Sequence, residues 1–205
     1  MRTMCCPWKK EYYALILETL KKGGVIAYPT ETSYGLGVDA TQAQAVQKLY
    51  ALKERDAGKP VICIVDTLTM VQRYCTLHPA ERRIIRALMP GPITLVAQAK
   101  GKTIQTAGNG TFSFRIPSFD VARALVHAYK KPITSTSANR SGNKPLYRIA
   151  DVIREFYGKV DIIIDGGDLA VRKQSTVVKI TDRVDILRQG PIAKNRIASV
   201  AFPQR

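Results

Sequence analysis

Segments with the apolar spacing of helices alternate along this chain with short apolar runs that are typical of strands. The first segment carries apolar residues at the i, i+3, i+4, i+7 spacing of an amphipathic helix: Tyr13, Ile16, Leu17 and Leu20. A strand is predicted next, at 25–28, and the alternation continues to about residue 187. Strands that alternate with helices build α/β folds. The sequence therefore predicts one α/β domain over residues 9–192, with helices flanking a twisted sheet.

The sheet is expected to mix parallel and antiparallel strands, because the apolar runs at 176–180 and 184–187 are close enough to form a hairpin. Further strands are predicted at 60–65, 93–98, 112–116, 132–136 and 160–164, and helices near 41–53, 67–74, 79–88, 119–130 and 149–157. The remaining segment, 193–205, carries Lys194, Arg196 and Arg205 without any acidic residue. It is interpreted as a basic C-terminal tail, either mobile or forming a last helix.

Positive charge is the most unusual feature of the composition. Lysine and arginine total 32 against 16 aspartate and glutamate residues, which gives a net charge of +16. Such an excess opposes folding slightly through self-repulsion and favours anionic partners. Nucleotide phosphates, tRNA or both are therefore expected to bind, although a generally basic proteome would give the same total.

Other patterns argue against membrane and metal-binding classes. No segment reaches the roughly 18 apolar residues of a membrane span, and the first residues lack the apolar stretch of a signal peptide, so we expect a cytoplasmic protein without membrane contact. Cys75 and His78 are spaced like two metal ligands, but no second pair follows them. The sequence therefore predicts no protein-held metal site.

Polar segments occur where the predicted strands and helices end. Taken singly, each is typical of a turn, a helix cap or a solvated surface. In chain order the motifs are P-T-E-T-S-Y-G-L-G at 29–37, K-E-R at 53–55, P-G-P at 90–92, R-I-P at 115–117, S-A-N at 137–139, S-G at 141–142, D-G-G at 165–167, S-T at 175–176 and R-Q-G at 188–190. Together, they resemble the YrdC (TsaC) family of threonylcarbamoyl-AMP synthases, in its short single-domain form, over about residues 24–190.

The resemblance implies an activity as well as a YrdC-like fold. The implied activity is that of a nucleotidyltransferase, which forms L-threonylcarbamoyladenylate and pyrophosphate from L-threonine, bicarbonate and ATP. The product serves N6-threonylcarbamoyladenosine modification of tRNA, through a threonylcarbamoyl-transferase complex that acts downstream. ATP would be a substrate, and Mg²⁺ would arrive on its phosphates and keep most of its waters.

The resemblance also implies roles for particular residues. Lys53 and Arg55 are expected to be catalytic, reaching the phosphates from the frayed last turn of a helix. The ATP contacts would be Lys53, Arg55, Lys59, Thr111, Ser137, Asn139 and Arg188. The threonine contacts would be Thr30, Thr32, Arg115, Ser135 and Ser175. Glu31 would be an outer-shell partner of the metal.

Two alternatives remain open at this stage. The basic excess also suits a tRNA- or RNA-binding module, although aromatic residues make up only 7% and no RRM or KH motif occurs. A second alternative is an enzyme that forms a different carbamoyl-adenylate, as in hydrogenase maturation proteins. In those proteins the resembling domain lies within a much longer chain.

Overall fold

A computed structural model describes residues 2–56, 58–101, 103–106 and 110–203. The strands in these ranges are β1 (Met4–Pro7), β2 (Ile26–Pro29), β3 (Tyr34–Gly37), β4 (Cys63–Ile64), β5 (Cys75–Thr76), β6 (Ile93–Ala99), β7 (Thr111–Arg115), β8 (Ile133–Thr134), β9 (Thr136–Ser137), β10 (Ile162–Asp165), β11 (Thr176–Ile180) and β12 (Val184–Arg188). The helices are α1 (Lys10–Lys21), α2 (Ala43–Lys53), α3 (Leu68–Tyr74), α4 (Pro79–Leu88), α5 (Asp120–Tyr129), α6 (Ile149–Phe156) and α7 (Lys194–Ala201).

The strands form two sheets, not the single sheet that was expected. The first sheet has the order β1-β10-β2-β3-β9, with parallel pairing from β1 to β2 and antiparallel pairing from β2 to β9. The second has the order β12-β11-β6-β7-β4-β8, with β5 paired to β6, and β11 runs parallel to β6 as β4 does to β7. The predicted single α/β domain with mixed strand pairing is confirmed.

The central strands β2 and β10 of the first sheet are largely buried on both faces. Successive residues of a strand point to opposite faces, so Tyr28 and Ile164 enter the core cluster that includes the second sheet, α1 and α5. Ala27 and Ile163 enter the opposite cluster, which α2 and α6 cover. Burial on both faces explains why these strands appear in the sequence as continuous apolar runs.

The folded unit extends beyond both ends of the expected domain. β1 pairs in parallel with β10, so residues before position 9 belong to the sheet. Helix α7 packs on α4 through the fully buried Ile197 and Ala201, and Arg83 Nη2 donates to the Ala201 carbonyl at 2.6 Å. The expected boundaries at 9 and 192 are therefore too narrow. The segment taken as a tail is largely a helix, because Ile197 and Ala201 share one apolar face.

The structure changes the bounds of two predicted segments, the strand at 60–65 and the polar segment at 29–37. The strand predicted at 60–65 forms ladder pairs only at Cys63–Ile64, and residues 60–62 border a cavity instead. The polar segment at 29–37 contains β3, which pairs with β2. Gly37 makes this pairing possible, because a Cβ there would lie 2.8 Å from the Tyr28 ring. In the described part of the chain, no helix combines the length and apolarity that crossing a membrane requires.

Candidate active site

Loops from both sheets converge on a polar cavity of about 230 Å³, which we call the first cavity. A second cavity of about 350 Å³ adjoins it and shares Arg55, Thr136 and Ser137 with it. Predicted site residues on the first cavity are Thr30, Thr32, Arg55, Arg115, Ser135, Ser137, Ser175 and Arg188. Those on the second are Lys53, Arg55, Lys59, Ser137 and Asn139. The fold thus brings together residues that lie up to 158 positions apart in sequence, from Thr30 to Arg188.

Thr111 is the predicted site residue that the fold does not bring to these two cavities. It begins β7, whereas Arg115 ends that strand, so roughly 13 Å of extended backbone separate them. Thr111 lines a different cavity, together with His78 and Lys179. The expected ATP contact at Thr111 is therefore not supported by the geometry.

Arg115 lies in a buried ion pair at the wall of the first cavity, with only 4% of its surface exposed. Its Nη1 donates to Glu31 Oε1 at 2.8 Å, and its Nη2 donates to Ser135 Oγ at 3.1 Å. Glu31 is thus the ionic partner of Arg115, a role that differs from the outer-shell metal contact expected for it. Two buried atoms of this pair, Arg115 Nε and Glu31 Oε2, have no hydrogen-bond partner in the described part of the chain.

Lys53 ends α2 and is 2% exposed, so it does not lie on a frayed turn as expected. The chain turns sharply at Glu54, whose φ of 51° is left-handed, and Lys53 Nζ donates to the carbonyls of Ser137 at 2.6 Å and Asn139 at 2.7 Å. Burial, followed by repulsion from Arg55, lowers the pKa of Lys53 to about 8. An ammonium group has three hydrogens, so one remains available to a ligand.

Arg55 is held differently, on the rim where the two cavities meet. Its Nε donates to the Lys59 carbonyl at 3.3 Å and its Nη2 to the Pro60 carbonyl at 3.1 Å. These contacts fix the guanidinium over the turn at 59–60. Arg55 therefore offers its remaining donors to both cavities, while Lys59 is exposed beside the second.

Arg188 and Ser175 close the first cavity from the second sheet. Arg188 Nη2 donates to Ser175 Oγ at 3.0 Å, and Ser175 Oγ lies 2.8 Å from Thr94 Oγ1. Burial, followed by the nearby Arg115 cation, lowers the pKa of Arg188 below its usual value. Two guanidinium groups that repel each other across one cavity indicate a site for anions.

Two neighbours of this cluster were not predicted from the sequence. Gln174 Oε1 accepts a hydrogen bond from Arg188 Nη1, and Thr94 is buried beside Ser175. Thr94 gave one signal, since it is a hydroxyl residue within the apolar run of β6. The sequence carried no signal for Gln174, because glutamine residues are common in polar loops.

The hydroxyl groups of Thr30 and Thr32, both in the 29–37 segment, have different roles. Thr30 Oγ1 donates to the Ser33 carbonyl at 2.7 Å and accepts from the Thr32 backbone N–H at 3.2 Å, so it stabilises the turn. Among the described residues, the one side-chain hydrogen bond of Thr32 Oγ1 is a 3.2 Å contact with Thr30 Oγ1. Thr32 is therefore better placed than Thr30 to bind a ligand.

Asn139 presents a buried acceptor to the second cavity. Its Nδ2 donates to the carbonyls of Arg140 and Asn143, both at 2.7 Å. Its Oδ1 is buried and has no hydrogen-bond partner within the described ranges. Buried polar groups are nearly always hydrogen-bonded, so this oxygen is suited to a ligand or a water molecule.

The site can bind anions and small polar groups, because its described lining consists largely of cations and hydroxyl groups. Neither histidine nor cysteine lines the two joined cavities among the described residues. In the same ranges, no three of histidine, cysteine, aspartate and glutamate come close enough to hold a metal ion. A reaction here would rely on positioning and on neutralising charge.

Comparison with known proteins gives a consistent set of relatives. The Sua5/YciO/YrdC family model, whose description reads "Telomere recombination", matches residues 18–190. A threonylcarbamoyl-AMP synthase of Pyrococcus abyssi is 32% identical over 88% of this chain and 54% of its own length. One of Thiobacillus denitrificans is 38% identical over 78% of this chain and 87% of its own. The chain thus spans about half the length of the Pyrococcus relative.

The fold is also similar to that of a solved structure. The crystal structure of Pyrococcus abyssi Sua5 complexed with L-threonine has a TM-score of 0.88 and 27% identity. The match covers 99% of this chain and 61% of that one. Nearly all of the fold described above is therefore shared with a protein that binds L-threonine.

Proposed function

Since the chain belongs to the Sua5/YciO/YrdC family, we propose that it is an L-threonylcarbamoyladenylate synthase. It converts L-threonine, bicarbonate and ATP into threonylcarbamoyl-AMP and pyrophosphate. The observation that carries this proposal is the set of cations on two joined cavities, with Lys53 and Arg115 buried and neither histidine nor cysteine among the described residues that line the cavities. That arrangement suits a substrate that itself attacks a phosphate.

The reaction has two stages. The ammonium group of bound threonine first gives up one proton to solvent, and the resulting neutral amine attacks bicarbonate, which gives a carbamate and water. A carbamate oxygen then attacks the α-phosphorus of ATP, and pyrophosphate leaves. Both stages bring anions together, so the main task of the protein is to hold them and neutralise their charge.

Threonine occupies the first cavity in this proposal. Arg115 donates to its carboxylate, because the guanidinium of a buried arginine suits a two-pronged contact. Thr32, Ser135 and Ser175 offer hydroxyl groups to its polar atoms, and Thr30 holds the loop that carries Thr32.

The triphosphate occupies the second cavity and its junction with the first. Lys53, Arg55 and Lys59 neutralise the phosphates there. Ser137 and Asn139, whose carbonyls accept hydrogen bonds from Lys53, contact the nucleotide beside these cations, and Arg188 approaches it from the second sheet. Lys53 and Arg55 act where negative charge grows around the α-phosphorus, so they are the catalytic cations.

Magnesium fits this second cavity as a companion of the phosphates. The residues there include the unpartnered Asn139 Oδ1 and the carboxylates of Glu54 and Asp56. Oxygen atoms are the ligands that Mg²⁺ prefers, and it commonly binds through phosphates and waters rather than an all-protein cage. Its charge would assist the departure of pyrophosphate.

The product would pass to a threonylcarbamoyl-transferase complex that modifies tRNA. The net charge of +16 favours an encounter with tRNA. Binding of RNA alone does not explain why Lys53, Arg115 and Ser175 are buried around cavities rather than exposed. We therefore rank the RNA-binding module second, and we treat the whole unit from β1 to α7 as the catalytic domain.

A thermal-shift comparison tests substrate binding. Ligands that bind only the folded form stabilise it by about 2.7 kcal/mol at a hundred times their Kd. ATP and L-threonine should each raise the melting temperature, whereas leucine and glycerol should leave it unchanged. An equal shift with threonine and leucine would argue against a threonine pocket.

A further inference from the structure

The buried Arg115–Glu31 pair is incomplete on both sides. Nη1 of Arg115 donates to Oε1 of Glu31 at 2.8 Å, but Nε of the arginine and Oε2 of the glutamate have no hydrogen-bond partner among the residues that the structure describes. Both side chains are nearly sealed from solvent, with 5% and 6% of their surfaces exposed. An unpaired donor beside an unpaired acceptor indicates a ligand that carries both kinds of group.

The Arg115–Glu31 pair lies between the first cavity and a third cavity. Arg115 lines the first cavity, whereas Glu31 lines a third cavity of about 350 Å³. Thr32 lines both, so the two spaces adjoin at this residue. A small ligand at the junction can approach the guanidinium and the carboxylate together.

We propose that Glu31 Oε2 accepts a hydrogen bond from the ammonium group of the bound amino acid, whose carboxylate Arg115 holds. This inference rests on the proposed function, which supplies threonine as the ligand. An α-amino acid carries its ammonium and carboxylate on one carbon, and the ion pair offers the opposite charges side by side. The pair thus selects amino acids over acids that lack the amine.

Glu31 could instead serve only to orient Arg115. The two roles differ in what they do to a ligand without an amine. Loss of an orienting contact weakens every carboxylate ligand alike. Loss of the ammonium contact weakens threonine and spares (R)-3-hydroxybutanoate, which is threonine without its amino group.

Calorimetry with both ligands on the wild type, Glu31→Gln and Ser118→Ala separates the roles. Glutamine keeps an oxygen for Arg115 Nη1 but turns the second acceptor into a donor. The wild type should prefer threonine by roughly ten- to a hundredfold, the range for hydrogen bonds to charged groups. Glu31→Gln should lose most of that preference and bind hydroxybutanoate within about threefold of the wild type. Ser118→Ala, a change in the third cavity, should keep the preference.

Equal weakening of both ligands in Glu31→Gln, or an unchanged preference, would overturn the inference and leave threonine binding intact. A wild type that does not bind threonine would instead reject the proposed function, and this inference with it. If Glu31→Gln does not fold, Glu31→Asp serves as the second variant. It keeps the charge, withdraws the oxygen by one carbon, and should also reduce the preference; an undiminished preference there counts against the proposal.

Discussion

Replacing Arg115 by alanine is expected to abolish most of the affinity for L-threonine while leaving ATP binding nearly intact. Truncating one member of a buried, charge-assisted pair costs about 2–5 kcal/mol, which corresponds to roughly 30-fold to several thousandfold in Kd. Arg115→Lys should recover only part of the loss, because lysine keeps the charge but not the planar fork. Calorimetry with each ligand measures both affinities.

The same change should also destabilise the fold, and that effect needs its own control. Removal of Arg115 leaves the Glu31 carboxylate buried without its cation, which typically costs about 3–5 kcal/mol. The double variant Arg115→Met/Glu31→Gln removes the uncompensated charge and should recover much of the stability without recovering threonine binding. Lost ATP affinity with intact threonine affinity would show that Arg115 has been assigned to the wrong ligand.

Alanine at Lys53 or Arg55 is expected to reduce turnover by roughly 10²–10³-fold each, about 3–4 kcal/mol, as removal of one stabilising donor does in comparable sites. Pyrophosphate release at saturating substrate measures the effect. Lys53→Ala should also lower stability, because Lys53 Nζ joins the Ser137 and Asn139 carbonyls. Arg55→Ala should not, since its contacts are on an exposed turn.

Lys48→Ala is the matched control for these two variants. Lys48 lies on the same helix as Lys53 and donates to the Gly23 carbonyl, outside both joined cavities. Its turnover should equal that of the wild type. Turnover within about threefold of the wild type in Arg55→Ala would contradict a catalytic role for that residue, because a transition-state donor is worth far more.

The pH profile provides an independent check on Lys53. Its pKa of about 8 means that the free protein carries this charge below pH 8 and loses it above. The value of kcat/KM for ATP, which reports groups of the free enzyme, should therefore fall as pH rises through about 8. Lys53→Arg should lack this decline, since arginine keeps its proton throughout that range.

The sequence predicted the kinds of elements well, because apolar periodicity records which face of an element is buried. It was less successful at element ends. β4 has ladder pairs only at Cys63–Ile64, and residues 60–62 of the predicted strand line the first cavity instead. The short strand β1 carries no periodic signal and exists through its pairing with β10.

The site was predicted as a set of motifs, but its internal contacts were not. Glu31 and Arg115 are 84 positions apart, and nothing in either local segment indicates that they pair. The burial of Lys53 depends on the left-handed turn at Glu54 and on carbonyls contributed by another segment. Thr111 shows the opposite case. It is close to Arg115 in sequence, but it lies at the other end of strand β7 and lines a different cavity.

The reaction itself gives the most direct test. Purified protein is incubated with ATP, L-threonine and bicarbonate, and pyrophosphate is counted with each component omitted in turn. The proposed synthase releases pyrophosphate only when all three are present, because the attacking group is a carbamate made from two of them. Release that ignores threonine would reject the threonine-dependent reaction and favour another adenylate-forming activity, and no release together with tight RNA binding would favour a binding module.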